Sequence, residues 1–327
     1  MTSNALMTKK QPREDEIWRL ELGQPSDEAL EYLPLRCAHC SATFVPRDLP
    51  YDANARAFAR PGLIERFMTL TRDSETDEFL ISSRRTPRKT HVSRAEACTE
   101  LRKRMSLTEA NAAIGRGRMF VFSEAHVESL LRETNCGRRW GLDVGAGCGE
   151  VTKRLRRGTE KMCATESSRG MCARLRESEV DVVLESDTVE GVVERVRGMG
   201  HDVSKDGFDV VWALNLVDRV DKPRTLLKEL KAAVNARTGV VILAIVVPFR
   251  PFVEGADGTR GVPSEVVDAP SSGSWEAGVE ALWTNLIEPS GFDILKLSRV
   301  PYISEGDHKF GAYVLDDAVF VLRPKKD

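Results

Sequence analysis

Apolar residues recur along this chain in two rhythms, and the change falls near residue 137. From Asp48 to Glu133, stretches such as 61–70 (PGLIERFMTL) and 123–131 (SEAHVESLL) repeat apolar positions every three to four residues, the period of an amphipathic helix. Ser123 fits the N-cap of the second. From residue 138 onward, apolar runs over 140–144, 162–165, 180–184, 208–216 and 240–247 read as strands, and helix-period segments over 150–156, 168–177, 189–199 and 223–234 separate them. Nearly continuous apolar strands alternating with helices predict a parallel sheet covered on both faces. A Pro/Gly-rich connection over 248–273 and a helix over 275–286 follow. The last two strand-like runs, 292–300 and 313–322, have no helix between them, which predicts an antiparallel hairpin closing the sheet edge.

These rhythms divide the chain into a mobile leader over 1–47, a helical cap over 48–136 and a sheet domain over 137–327. The leader is charged and poor in aromatics, so it cannot bury enough apolar surface to order itself. The 41% hydrophobic content of the 327 residues is ample for a core. Lys+Arg 48 against Asp+Glu 50 leaves a net charge of −2, too little to select nucleic acid or an anionic membrane. The basic stretch 83–89 (SRRTPRK) lacks aromatics or a recognition motif and reads as a solvated loop. No apolar run approaches the roughly 20 residues of a membrane span, and the start lacks a secretory signal's apolar stretch. A soluble, intracellular monomer without nucleic-acid partner or membrane insertion is expected. Seven cysteines do not suggest a disulfide framework, and Cys37-Ala-His-Cys40 supplies too few ligands for a metal site, so none is expected.

The chemistry begins at Asp143-Val-Gly-Ala-Gly-Cys-Gly149, where the first long strand meets a helix. Gly145, Gly147 and Gly149 permit a tight turn and close backbone approach, and a ligand belongs at such a switch point. A dinucleotide fingerprint would place glycine where this chain has Glu150, whose carboxylate would face a pyrophosphate. S-adenosylmethionine carries no phosphate, and its cationic groups tolerate nearby carboxylates. Glu166, at the end of the second strand, can accept both ribose hydroxyls, and Asp187, after the third, is a candidate adenine-side contact. The expected fold is therefore a seven-stranded class I S-adenosylmethionine methyltransferase sheet, Rossmann-like and parallel with an antiparallel C-terminal hairpin, plus the N-terminal helical cap. Arg116, upstream of the sheet, is a candidate for the cofactor's carboxylate.

In this fold the fourth strand ends above the transferred methyl group. Here it reads Val210-Val-Trp-Ala-Leu-Asn-Leu-Val-Asp-Arg219, making Asn215 and Asp218 the leading acceptor contacts, with Arg219 beside them. They do not form the Asn/Asp-Pro-Pro-aromatic motif used on planar amides, so those acceptors are not expected. Phe249, Phe252 and Glu254 are candidates for a peptide groove, since aromatics and one acid suit a histidine-rich ligand.

Six segments in this order carry a resemblance: 116–123 (RGRMFVFS), 143–153 (DVGAGCGEVTK), 215–219 (NLVDR), 248–254 (PFRPFVE), 301–307 (PYISEGD) and 313–322 (YVLDDAVFVL). From about residue 45 to the end, the chain closely resembles the methyltransferase-like nine (DREV) family. The resemblance implies a protein-histidine methyltransferase acting on the pros nitrogen in His-x-His motifs with a small middle residue, with S-adenosylhomocysteine as the other product. It implies cofactor contacts at Asp143, Gly145 and Glu166, and imidazole contacts at Asn215, Asp218 and Tyr302. Family members often have Asp where this chain has Cys148. Asp218 is expected to accept the tele N–H, leaving the lone pair on the pros nitrogen, while Asn215 and Tyr302 orient the ring. Two other readings stay open: a small-molecule methyltransferase with a closed apolar pocket, and a non-catalytic scaffold binding a partner through the N-terminal helices.

Overall fold

A computed structural model describes residues 35–37, 43–44, 48–86, 88–255, 259–306, 310 and 312–326. Ahead of the main sheet come strands β1 (Leu35–Cys37) and β2 (Thr43–Phe44) and helices α1 (Pro61–Ile64), α2 (Ser74–Arg84), α3 (Arg88–Leu101) and α4 (Leu107–Ala113). A short strand, β3 (Met119–Phe120), and helix α5 (Glu124–Leu131) complete this part. Then β4 (Trp140–Val144), β5 (Lys161–Glu166), β6 (Val182–Glu185), β7 (Val210–Leu214) and β8 (Val240–Val246) alternate with α6 (Thr152–Leu155), α7 (Arg169–Leu175), α8 (Val192–Gly198) and α9 (Pro223–Ala233). The small hairpin β9 (Val253–Glu254) and β10 (Arg260–Gly261), helix α10 (Trp275–Leu282) and the long strands β11 (Phe292–Glu305) and β12 (Ala312–Pro324) close the chain.

The strands pair in the order β6-β5-β4-β7-β8-β12-β11, with the first five parallel and β12 antiparallel to both neighbours. This is the expected seven-stranded class I order, with its switch point between β4 and β7. Successive residues of each strand face opposite layers. Val211 and Ala213 join one core with Leu227 and Leu230 of α9 and Val279 and Leu282 of α10. Val210 and Trp212 join the other with Leu130 and Leu131 of α5 and Phe79 and Leu80 of α2. Each such leucine contributes roughly 1.5–3 kcal/mol by leaving water, so both layers fix the strand ends from which the site is built.

The N-terminal part departs from the sequence reading. Leu35–Cys37, placed in the leader, runs parallel to β12 with Arg36 opposite Tyr313, and Leu35 is fully buried. The helical cap also lends β3 to the far end of β11, with Phe120 opposite Ile303, so the sheet reaches ten strands. The helix expected over 61–70 stops at Ile64, because Phe67 bridges to Leu297 and the Met68 N–H donates to the Leu297 carbonyl at 2.7 Å. The stretch 83–89 is the end of α2 and the start of α3 rather than loop throughout. Ser123 caps α5 as expected, its hydroxyl accepting the His126 N–H at 3.1 Å. His39, Cys40 and His308 lie outside the described residues. Among the described residues, no helix is long and apolar enough to cross a membrane.

Candidate active site

Beyond Val144 the chain turns through Gly145 (φ +71°), Gly147 (φ +57°) and Gly149 (φ +85°), all left-handed. Gly145 is needed for space as well: a Cβ there would stand 3.1 Å from Leu216. A Cβ on Gly147 would meet nothing within 4 Å, so the loop is open on that side. The N–H groups of Gly145 and Ala146 donate to the Thr165 carbonyl at 2.9 and 3.0 Å, stitching the loop to the end of β5. Glu166 then accepts the Gly147 N–H at 2.9 Å on one oxygen and the Ser168 N–H at 2.8 Å on the other. The cradle fits a nucleoside-bearing cation: glycines that let a ligand approach the backbone, and a nearly buried carboxylate beside them.

Asp143 stands differently. It is 3% exposed, and its carboxylate accepts the Thr152 hydroxyl at 2.7 Å, tying the first turn of α6 to the strand end. Burial pushes its carboxyl up to about 7, against the Thr152 bond and with the Glu166 charge adding. The Thr152 bond holds the loop to the start of α6. Asp187 is exposed beyond the end of β6, and the Ser186 N–H donates to the Glu166 carbonyl at 2.9 Å, so both acids share one sheet edge. The Arg116 guanidinium, a candidate for the cofactor's carboxylate, donates to the Gly306 carbonyl at 3.0 Å, while its own carbonyl accepts Arg174 at 3.0 Å. It straps its segment between the end of β11 and α7.

At the end of β7, Asn215 adopts φ +54°, rare for a side-chain-bearing residue. Its N–H donates to the Ala244 carbonyl at 2.8 Å and its Nδ2 to Asp317 Oδ2 at 2.9 Å. The next residue, Leu216, packs over Gly145, which links this turn to the cofactor loop. Asp218 is 1% exposed, and neither carboxylate oxygen has a hydrogen-bond partner among the described residues. The Arg219 guanidinium lies 2.8 Å from Oδ2 but without the alignment of a hydrogen bond. Burial pushes the Asp218 carboxyl up to about 6, opposed by the Arg219 charge. Tyr302, on β11, donates to the Met119 sulfur. Burial pushes its phenol up, and the charges of Asp317 and Asp218 add to that, so the three groups share one electrostatic neighbourhood that also contains Cys148 of the loop.

The structure thus brings Asn215, Asp218 and Tyr302 together and adds Asp317, which the sequence reading passed over. Asp317 is fully buried in β12 opposite Val246, and its Oδ1 has no hydrogen-bond partner among the described residues. The available signal was two adjacent acids in an apolar strand, since alternation must send one of them inward. The groove residues divide. Phe249 is 1% exposed and belongs to the core, which corrects its reading as a groove aromatic. Phe252 lies between the guanidinium groups of Arg219 and Arg260, each 4.1 Å from its ring centre, and its N–H donates to the Asp218 carbonyl at 3.0 Å. Glu254 accepts the Leu107 N–H at 3.2 Å and faces Arg102 at 3.8 Å, fastening β9 to the start of α4.

Among solved structures, a SAM-dependent methyltransferase from Leishmania major is 13% identical, with a TM-score of 0.39, and the match covers 89% of this chain and 96% of that one. The DhpI–SAH complex is 17% identical, with a TM-score of 0.39 and coverage of 73% and 98%. A SAM-dependent methyltransferase from Aquifex aeolicus is 18% identical, with a TM-score of 0.35 and coverage of 60% and 88%. At these scores none of the three bears on substrate or residue roles. The DREV methyltransferase pattern, by contrast, matches residues 60–324 and so takes in the glycine loop, the turn after β7 and both C-terminal strands. The chain is a methyltransferase with S-adenosylmethionine as its cofactor, and it belongs to the DREV methyltransferase family.

Proposed function

We propose that this enzyme methylates the pros nitrogen of histidine in protein or peptide His-x-His motifs whose middle residue is small. One observation carries the reading: Asn215 Oδ1, both oxygens of Asp218 and Asp317 Oδ1 are buried acceptors without hydrogen-bond partners among the described residues, gathered beside the cofactor loop. An unpaired buried acceptor costs roughly 1–3 kcal/mol, so a site that keeps several suits a ligand bearing an N–H and gaining positive charge. Neutral imidazole does both. A closed apolar pocket for a small molecule would not contain these atoms.

When bound, S-adenosylmethionine supplies a methyl group made electrophilic by its sulfonium. Gly145, Gly147 and Glu166 hold it, with Asp187 on the adenine side. Asp218 accepts the tele N–H of the substrate ring, which leaves the lone pair on the pros nitrogen. The same carboxylate stabilises the cation that the ring becomes on alkylation, and then takes the tele proton and passes it to solvent. A carboxyl at about 6 is well matched to that transfer. Tyr302 and Asn215 orient the ring, so catalysis is alignment plus electrostatics. Arg219, Phe252 and Glu254 flank the entrance as peptide contacts.

The test is incubation with labelled cofactor and peptides carrying His-Ala-His, Ala-Ala-His or His-Ala-Ala, followed by mass spectrometry and NMR of the product. Methyl on the pros nitrogen of the His-Ala-His peptide is expected. Methyl on the tele nitrogen, or none on any of the three, overturns the reading.

A further inference from the structure

Asp317 is given no step in the mechanism above, yet it is fully buried and holds the amide of Asn215 through Oδ2 at 2.9 Å. Its neighbour Asp316, on the opposite face of β12, is paired with the Arg299 guanidinium through both carboxylate oxygens. Among the described residues Asp317 has no cation in ion-pair distance, so nothing comparable offsets its burial. A buried acid without a counter-charge is costly and calls for a local reason. The backbone of Asn215 is fixed as well, in a left-handed conformation with its N–H on the Ala244 carbonyl.

A primary amide has two ends of nearly equal size, one donating and one accepting. The Asp317 oxygen accepts, so it selects the NH2 end of Asn215 and directs the amide oxygen away from itself. That oxygen is the buried Asn215 Oδ1 without a partner. We propose that Asp317 is a positioning residue of the acceptor site: by taking the NH2 end of Asn215, it turns the negative end of the amide dipole toward the substrate imidazole and so selects the ring orientation that exposes the pros nitrogen. This rests on the histidine reading above. Facing Asn215, it is the accepting oxygen that sets the sense of the amide. Burial and the charge of Asp218 hold the Asp317 carboxyl well above the usual carboxylate range, and the Asn215 bond only partly opposes them.

The discriminating variants are Asp317→Leu, which has a similar outline and no acceptor, and Asp317→Asn, which keeps an acceptor but permits either amide orientation. Turnover of a His-Ala-His peptide, the ratio of pros to tele product, cofactor affinity by calorimetry and Tm are read together. Asp317→Leu is expected to lose roughly tenfold or more in kcat and to release tele-methylated product, with cofactor affinity unchanged and Tm equal or higher. Asp317→Asn falls between it and the wild type. A merely structural residue would lose stability and turnover together and leave the product ratio alone. In an Asn215→Ala background the Asp317→Leu effect should vanish, since the two act as one unit. Wild-type turnover and product ratio in Asp317→Leu overturn the proposal. If that variant does not fold, an unchanged product ratio in Asp317→Asn overturns it and a shifted ratio supports it. A wild-type enzyme inert on the peptide removes the histidine reading and this proposal with it.

Discussion

Replacing Asp218 by Asn should make the protein more stable and less active, and the size of the first effect follows from burial. Its carboxyl, 1% exposed, rises from 3.8 to about 6, and ionising it in the folded state therefore costs about 3 kcal/mol, at about 1.4 kcal/mol per pH unit. The sign is set by proton binding. Between pH 3.8 and about 6 the folded protein holds a proton that the unfolded chain has released, so stability falls as pH rises through that window and stays lower above it. Asparagine removes the effect, so the gain appears above about pH 6 and vanishes below about pH 4. The half-exposed Arg219 loses its contact, an offset below about 1 kcal/mol. Thermal unfolding at pH 8 should show Tm raised by roughly 5 °C, and at pH 4 no difference. Single-turnover methyl transfer should fall by roughly a hundredfold or more while cofactor affinity holds. An Asp218→Asn protein with normal turnover would show that this carboxyl does not serve the ring, and one with lower Tm at pH 8 than at pH 4 relative to wild type would show that its burial does not destabilise the fold.

Other outcomes follow from the same geometry. The kcat/KM profile should fall on the acid side with a slope approaching about two, because Asp218, at about 6, and the free substrate imidazole, ordinarily near ~6.5, must both be deprotonated. In Asp218→Asn the slope should be about one. Glu166→Gln has one carbonyl oxygen for the two N–H groups that Glu166 now accepts, so calorimetry should show cofactor affinity down by roughly tenfold or more, with Tm lower by a few degrees for the N–H left without an acceptor. Phe249→Ala, deep in the core, should lower stability by about 3–5 kcal/mol in a denaturant titration. Phe252→Ala should instead raise KM for the peptide several-fold, because it releases Arg219 and Arg260 and empties little core.

The sheet was legible because its strands are apolar on both faces and separated by helices, and the run 140–144 coincides with β4 to the residue. The N-terminal additions were not. β1, β2 and β3 join through backbone hydrogen bonds over two or three residues each, too few for any period to show. Glycine spacing and Glu166 marked the cofactor loop, whereas the pairing of Asp143 with Thr152 depends on how α6 docks against the strand end. Phe249 and Phe252 look alike in sequence, three residues apart in a Pro-rich turn; only tertiary packing separates a core ring from one held between two guanidinium groups. Asp317 escaped because its meaning lies across the sheet, in an amide 102 residues away.

The central claim is that the site holds one neutral tautomer of the acceptor ring, with the proton on the tele nitrogen against Asp218. Nitrogen-15 NMR of a His-Ala-His peptide labelled in both imidazoles, bound to the enzyme with S-adenosylhomocysteine at pH 7.5 or so, reads that tautomer directly. A protonated tele nitrogen and a bare pros nitrogen are predicted, with the preference lost in Asp218→Asn. A ring bound with its proton on the pros nitrogen, or as the cation, would contradict the account.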